Sequence, residues 1–206
     1  MKQDTKYRII ETGAGIIHHK GYHHTGIQEV LSAAGVPKGS FYFYFKNKED
    51  FGLHVIDYFD HFILQMLKPV IEDDSLSALG KIEGILDHFI DLFKNMDYQC
   101  GCPIGNLSQE MGDLNEAFGK KLSESVEKVA KIYQDLLDQA RSDRELTVDM
   151  DTAEMAEFIV TSWQGALIKM KINKSIKPLA LHKRYVFNML TPNGAYKKEK
   201  NDGVNA

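Results

Sequence analysis

Cysteine is nearly missing from this chain: there are two in 206 residues, Cys100 and Cys102, one residue apart. A pair that close cannot cross-link distant parts of a secreted fold, so reduced thiols are the expectation. Proline is also sparse, five residues against 16 glycines, and neither a proline-rich disordered chain nor a fibrous repeat fits. No apolar run approaches the roughly 20 residues needed to cross a bilayer, and MKQDTKYRII lacks the hydrophobic stretch of a signal peptide. A cytoplasmic protein with no membrane partner is expected. Positive charge is not in excess: 25 Lys+Arg against 29 Asp+Glu give a net charge of -4. That excludes a uniformly basic nucleic-acid coat but leaves room for a local basic surface.

What remains is enough for a core, with 43% apolar and 26% charged residues. The length suits two domains. Residues 1–50 hold 7 Lys/Arg and 5 Asp/Glu, whereas the remainder holds 18 and 24, so the two ends carry opposite net charge.

Apolar spacing predicts helices throughout, with no strands or repeats. Ile10, Ala14 and Ile17 share one face of a helix over 4–20 that Gly21 ends. Thr25 is placed to cap a second helix that stops near Gly35, and Pro37 to begin a third, short and aromatic, over 37–45. A fourth runs from Lys48 to Pro69, which is expected to end it. Further helices are predicted over 76–95, from Cys102-Pro103 to Met111, over 115–140, over 152–171 and over 181–190. The organisation expected is a small helical domain over 1–50, a larger helical domain over 51–191, and a polar tail over 192–206.

Two short helices joined through Ala34-Gly35-Val36-Pro37 form the pattern of a helix-turn-helix, whose second helix enters the major groove. Thr25, Lys38, Ser40, Tyr42, Tyr44 and Lys48 are polar groups near helix ends, where phosphates are held. Gln28, Lys38, Ser40 and Tyr42 are also candidates for base edges. Phe41 and Phe45 read instead as packing residues against Phe51 and Val55.

Residues 8–55 resemble the DNA-binding domain of TetR-type transcriptional regulators. The resemblance rests on Gly21-Tyr22, Thr25-Gly26, the run from Ala33-Ala34-Gly35-Val36-Pro37-Lys38-Gly39-Ser40 through Phe41-Tyr42-Phe43-Tyr44-Phe45, and Lys48-Glu49. It implies that Thr25, Lys38, Ser40, Tyr42, Tyr44 and Lys48 are phosphate and groove contacts, and that Gln28 and Pro37 lie where such proteins approach DNA. It also implies an all-helical fold with a C-terminal ligand-binding domain whose last two long helices pair in a homodimer. Two departures are visible. Tyr44 replaces a commoner His, and Gly13 stands where Ala is usual, weakening the first helix by about 1 kcal/mol. Cys102-Pro103-Ile104-Gly105-Asn106-Leu107, with Glu110 and Asp113-Leu114-Asn115-Glu116, resembles a subgroup of these regulators, some of which respond to electrophiles or oxidants.

If Cys102 caps the helix begun by Pro103, the free N–H groups there favour a thiolate, and modification would add bulk or charge at a helix start. Inert packing and metal binding are competing readings of the same residue. Cys100 is a candidate resolving partner. Phe62, Met66, Phe89, Phe93, Met96, Tyr98, Cys102, Asn106, Trp163 and Met170 are candidate walls of an effector cavity, although most would equally fill a solid core. The eight histidines make no recognised metal spacing, and Gly13-Ala14-Gly15 lacks the strand and glycines of a nucleotide loop. Neither metal nor cofactor is expected. The reading reached is a homodimeric repressor released from operator DNA by a small organic or electrophilic effector. A Cys102-dependent enzyme and a protein-interaction module are the alternatives.

Overall fold

The computed structural model describes residues 2–146 and 148–191. Within them the chain forms helices α1 (Lys2–Lys20), α2 (Ile27–Ala33), α3 (Phe41–Tyr44), α4 (Lys48–Ile71) and α5 (Ala78–Asn95). These are followed by α6 (Pro103–Met111), α7 (Glu116–Ser142), α8 (Thr152–Asn173) and α9 (Lys177–Leu190). No strand occurs among the described residues, and no helix there is long and apolar enough to cross a membrane. The expected tail over 192–206, including Lys197, Lys198 and Lys200, lies outside them.

α1 buries Ile10, Ala14 and Ile17 as the spacing predicts, and Gly21 closes it at φ 89°, a left-handed backbone that favours glycine. Gly13 has a different meaning from the one expected. A Cβ there would meet Phe51 Cζ at 2.3 Å, so the missing methyl is what lets α1 lie against the Phe51 ring. Phe51 in turn packs edge-on against Phe41 and Phe45, which are buried as predicted.

Four boundaries differ from expectation. Gly26, not Thr25, occupies the N-cap of α2, without a side-chain cap bond; Thr25 Oγ1 donates instead to the Gly21 carbonyl at 2.7 Å, tying the turn back to α1. Pro37 precedes the third element rather than lying in it, and Lys38–Ser40 forms a 3-10 turn leading into α3. Pro69 does not end α4, which continues to Ile71. So close to the C-terminus, its missing N–H costs a single bond to the preceding turn. α9 also begins four residues earlier than predicted, with Pro178 in its first turn.

The caps of the larger helices are explicit. Asn47, Asn115 and Asp151 each accept a backbone N–H at the start of α4, α7 and α8. Ser77 does so for α5, and the Glu145 carboxylate accepts from Ala78 N and Leu79 N beside it. One apolar core runs from Ile9 through Phe51, Leu67, Ile82, Phe118 and Ile159 to Leu190. α4 belongs to both ends of it: Val55 and Ile56 are fully buried near the first three helices, and Leu67 far along the same helix. The expected boundary between residues 50 and 51 therefore falls in the first turn of α4.

Candidate DNA interface and regulatory pocket

The turn from α2 to α3 leaves an exposed row of groups. Gln28, Pro37, Lys38 and Tyr42 are exposed, and Ser40, Tyr44 and Lys48 are half-buried. Thr25 is only 2% exposed, so its side chain is not brought to that surface. Lys48 also serves the fold locally. Its Nζ donates to the Tyr22 carbonyl at 2.7 Å and sits 4.4 Å from the Tyr22 ring centroid. Burial lowers its pKa, opposed by the charge of Glu110. Sequence patterning does not single out Phe43, whose ring is 66% exposed next to Tyr42 at 64%. Its apolar character suggests core, but Phe41 and Phe45, four residues apart, take the buried side and leave Phe43 on the other.

A second site lies in the larger part of the fold. An apolar cavity of about 230 Å³ is bordered by α4, α5, α7 and α8 together with the start of α6. Phe62, Met66, Phe89, Phe93, Met96, Cys102 and Trp163 line it. His18, Ser125, Tyr133 and Gln164 supply polar groups that the sequence pattern does not assign to it. His18 Nε2 donates to the Gly101 carbonyl at 2.7 Å, and burial holds its pKa below the ordinary value. Burial likewise raises the pKa of the Tyr133 phenol. These residues are legible in the sequence only as members of buried helix faces, since the cavity is made where four helices fail to meet.

Three expected wall residues do not border this cavity. Met170 is fully buried in the core of α8, and Tyr98 lies in the turn after α5 with φ 59°. Asn106 borders a second cavity, of mixed lining, with His18, His19, Cys100, Glu110 and Lys171. Its amide is already committed: Nδ2 donates to the Cys100 carbonyl at 2.9 Å and Oδ1 accepts from Lys171 Nζ at 3.0 Å.

Cys102 is the N-cap of α6, and its sulfur accepts from Gly105 N at 3.4 Å. Thus it both caps a helix and borders the apolar cavity. Cys100 is also free, 3.3 Å from His19 Nδ1, with its thiol pKa raised by burial against the opposing charges of Lys171 and Lys174. Among the described residues no group of three or more His, Cys, Asp or Glu side chains is arranged to hold a metal.

A short reading helix in a helix-turn-helix, joined to a helical body that encloses an apolar cavity, defines a ligand-responsive type of DNA-binding regulator. The family match makes this specific. Residues 9–55 match the model of bacterial regulatory proteins of the tetR family, and residues 78–186 match the tetracyclin repressor-like C-terminal domain. The chain belongs to the TetR family and is a DNA-binding transcriptional regulator.

Its relatives include the transcriptional regulator AcuR of Cereibacter sphaeroides, 34% identical over 84% of this chain and 78% of that protein. The HTH-type transcriptional repressor DhaR of a Mycobacterium species is 30% identical over 91% of this chain and 92% of that one. Among solved structures, a regulatory protein TetR from Rhodobacter sphaeroides superposes with TM-score 0.82 at 33% identity, covering 89% of this chain and 97% of that one. The reduced form of Escherichia coli NemR gives 0.81 at 27% identity, covering 91% and 97%.

Proposed function

We propose that this protein is a homodimeric cytoplasmic repressor that leaves its operator when an apolar, thiol-reactive effector enters the cavity and modifies Cys102. The observation that carries this reading is the double position of Cys102, which caps α6 and borders the apolar cavity at once. A ligand held against Phe62, Phe89, Phe93 and Trp163 would have its reactive atom delivered to a sulfur facing the open amides of a helix start. An adduct there would displace the cap and press on the first turn of α6. Cys100 is the candidate partner for a mixed or intersubunit disulfide. The motif from Cys102 to Leu107, with Glu110, resembles that of electrophile-responsive members of the family and supports the same reading. That the Escherichia coli NemR structure is of a reduced form supports a redox-sensitive reading of this chain.

The division of labour proposed is reading by residues 1–50 and sensing and dimerisation by 51–191. Gln28, Pro37, Lys38, Ser40, Tyr42 and Tyr44 are assigned to DNA, Lys48 to phosphate, and Thr25 to shaping the turn beside them. For dimerisation, α8 exposes Phe158, Thr161, Gly165, Ile168 and Ile172 at alternating spacings of three and four. α9 exposes Leu181, Tyr185 and Met189 at four. Ile172 is 71% exposed and Tyr185 56%, apolar surface that a second copy would cover. A two-fold dimer then sets two reading helices on half-sites about 34–36 Å apart. The protein acts by binding, with no turnover of its effector.

A gel-shift titration on DNA flanking its own gene, with unrelated duplex as competitor, tests the reading. N-Ethylmaleimide is then added to the complex. Release of the parent protein but not of Cys102→Ser is the expected result; equal release of both would sink the sensor assignment.

A further inference from the structure

The turn between α1 and α2 is held from two sides by opposite charges. On one side the Glu110 carboxylate of α6 takes both consecutive backbone amides: Oε2 accepts from Tyr22 N at 2.8 Å and Oε1 from His23 N at 2.6 Å. On the other, Lys48 Nζ of α4 donates to the Tyr22 carbonyl at 2.7 Å and to the His23 carbonyl at 3.4 Å. The Tyr22–His23 peptide unit is therefore polarised between an anion at its N–H end and a cation at its carbonyl end, the arrangement in which such bonds are strongest. Gly21 leaves room for this approach, since a Cβ there would lie a tight 3.0 Å from Glu110 Oε2. Tyr22 is buried edge-on to Phe118 of α7, so the turn cannot slide without disturbing the core.

Glu110 occupies the last turn of α6, whose first turn is capped by Cys102. Nine residues at about 1.5 Å each make α6 a rod of about 13 Å. One end borders the apolar cavity and the other grips the start of the helix-turn-helix. α2 begins four residues after His23. We infer that Glu110 is a positioning residue for operator recognition, fixing the reading helices to the regulatory body through the Tyr22 and His23 amides.

This rests on the operator-binding reading but not on the nature of the effector. Two readers related by a dimer axis match two half-sites only if each head is held in one orientation; a loosened head still meets phosphates but no longer meets both half-sites together. Glu110→Gln keeps the size of the side chain and one acceptor, and sets an NH₂ against the second backbone N–H.

The test compares the full-length parent and Glu110→Gln by hydrogen exchange at the Tyr22 and His23 amides. It also compares affinity for a duplex selected from a random pool with affinity for unrelated duplex. Faster exchange at both amides is expected, with the ratio of selected to unrelated affinity falling about tenfold or more, the scale of a lost charge-assisted bond. Affinity for unrelated duplex should hold or rise slightly, since a negative charge has been removed. Glu110→Asp, which keeps both acceptors on a shorter stem, should recover part of the ratio.

Freed amides with an unchanged ratio would reduce Glu110 to a structural tie and overturn the inference, as would amides that remain protected in Glu110→Gln. Should the variant melt early, the Asp form supplies the comparison, and a folded Asp form with freed amides and parental discrimination is equally fatal. A parent that prefers no duplex defeats the operator reading itself, and with it this inference, before any variant is made.

Discussion

The Asn106 side chain donates to the Cys100 backbone carbonyl at 2.9 Å, joining α6 to the segment that precedes its own cap. That segment is unusual: Asp97, Tyr98, Cys100 and Gly101 all have positive φ. Non-glycine residues in the left-handed region cost of the order of 1–3 kcal/mol each and persist only where surrounding contacts hold them. Asn106 and His18, which binds the Gly101 carbonyl, are two of those holds.

Asn106→Ala should therefore destabilise the protein by about 1–3 kcal/mol, through a freed Cys100 carbonyl and a Lys171 ammonium without its acceptor. Urea unfolding would measure the loss. Amide exchange across 97–101 should rise well before global unfolding. Unchanged exchange there would show that the loop holds itself.

Gly13→Ala sets two effects against each other. Helix propensity gains about 1 kcal/mol, while the added methyl falls 2.3 Å from Phe51 Cζ in a packed aromatic cluster. Overpacking costs of about 1–3 kcal/mol should win, and thermal unfolding should occur at lower temperature. A higher melting temperature would mean that Phe51 has room to turn.

Lys38→Ala and Lys48→Ala should separate by stability. Both should weaken binding to operator and to unrelated duplex, Lys48→Ala with a smaller salt slope. Lys48 also holds the Tyr22 carbonyl, so its loss should lower the melting temperature as well, whereas exposed Lys38 should leave it unchanged. Loss of binding by Lys48→Ala for one sequence only would contradict the phosphate role.

Acid should destabilise the fold through His18 and His182. Burial lowers both pKa values from 6.5, so the unfolded chain binds protons that the native chain refuses. Stability from this source is fully present above 6.5 and is lost as pH falls from there through the folded values. Urea midpoints taken between about pH 7.5 and 5.5 should fall, and the fall should be shallower in His18→Gln. A slope unaffected by that change would clear His18 of the effect.

Ile172→Glu and Tyr185→Glu should yield folded monomers in analytical ultracentrifugation, because a charge on a covered apolar seam is left without a partner. Retention of the dimer by both would place the interface elsewhere.

The longer helices were legible because apolar residues recur in them at spacings of three and four. What escaped was decided by neighbours distant in sequence. Thr25 has the chemistry of a cap, but the Gly21 carbonyl, left open by the end of α1, takes its hydroxyl. Trp163 and Met170 lie two turns apart on α8, and periodicity treats them alike. One borders the cavity and the other is packed solid, because a void depends on where several helices diverge. Glu110 belongs to the motif read from sequence, yet its partners lie 87 and 88 residues away.

The passage of α4 through both ends of the core bears on how such regulators can be recombined. A reader exchanged at residue 50 would arrive without the helix that buries Phe51, Val55 and Ile56, and the recipient would keep a helix whose aromatic face was shaped for another head. A workable splice must carry the first half of α4 together with a matching residue at 110. Inheritance of a new DNA specificity in this lineage should accordingly proceed by point changes on the exposed surface of residues 28–44 more readily than by transplanting the whole head.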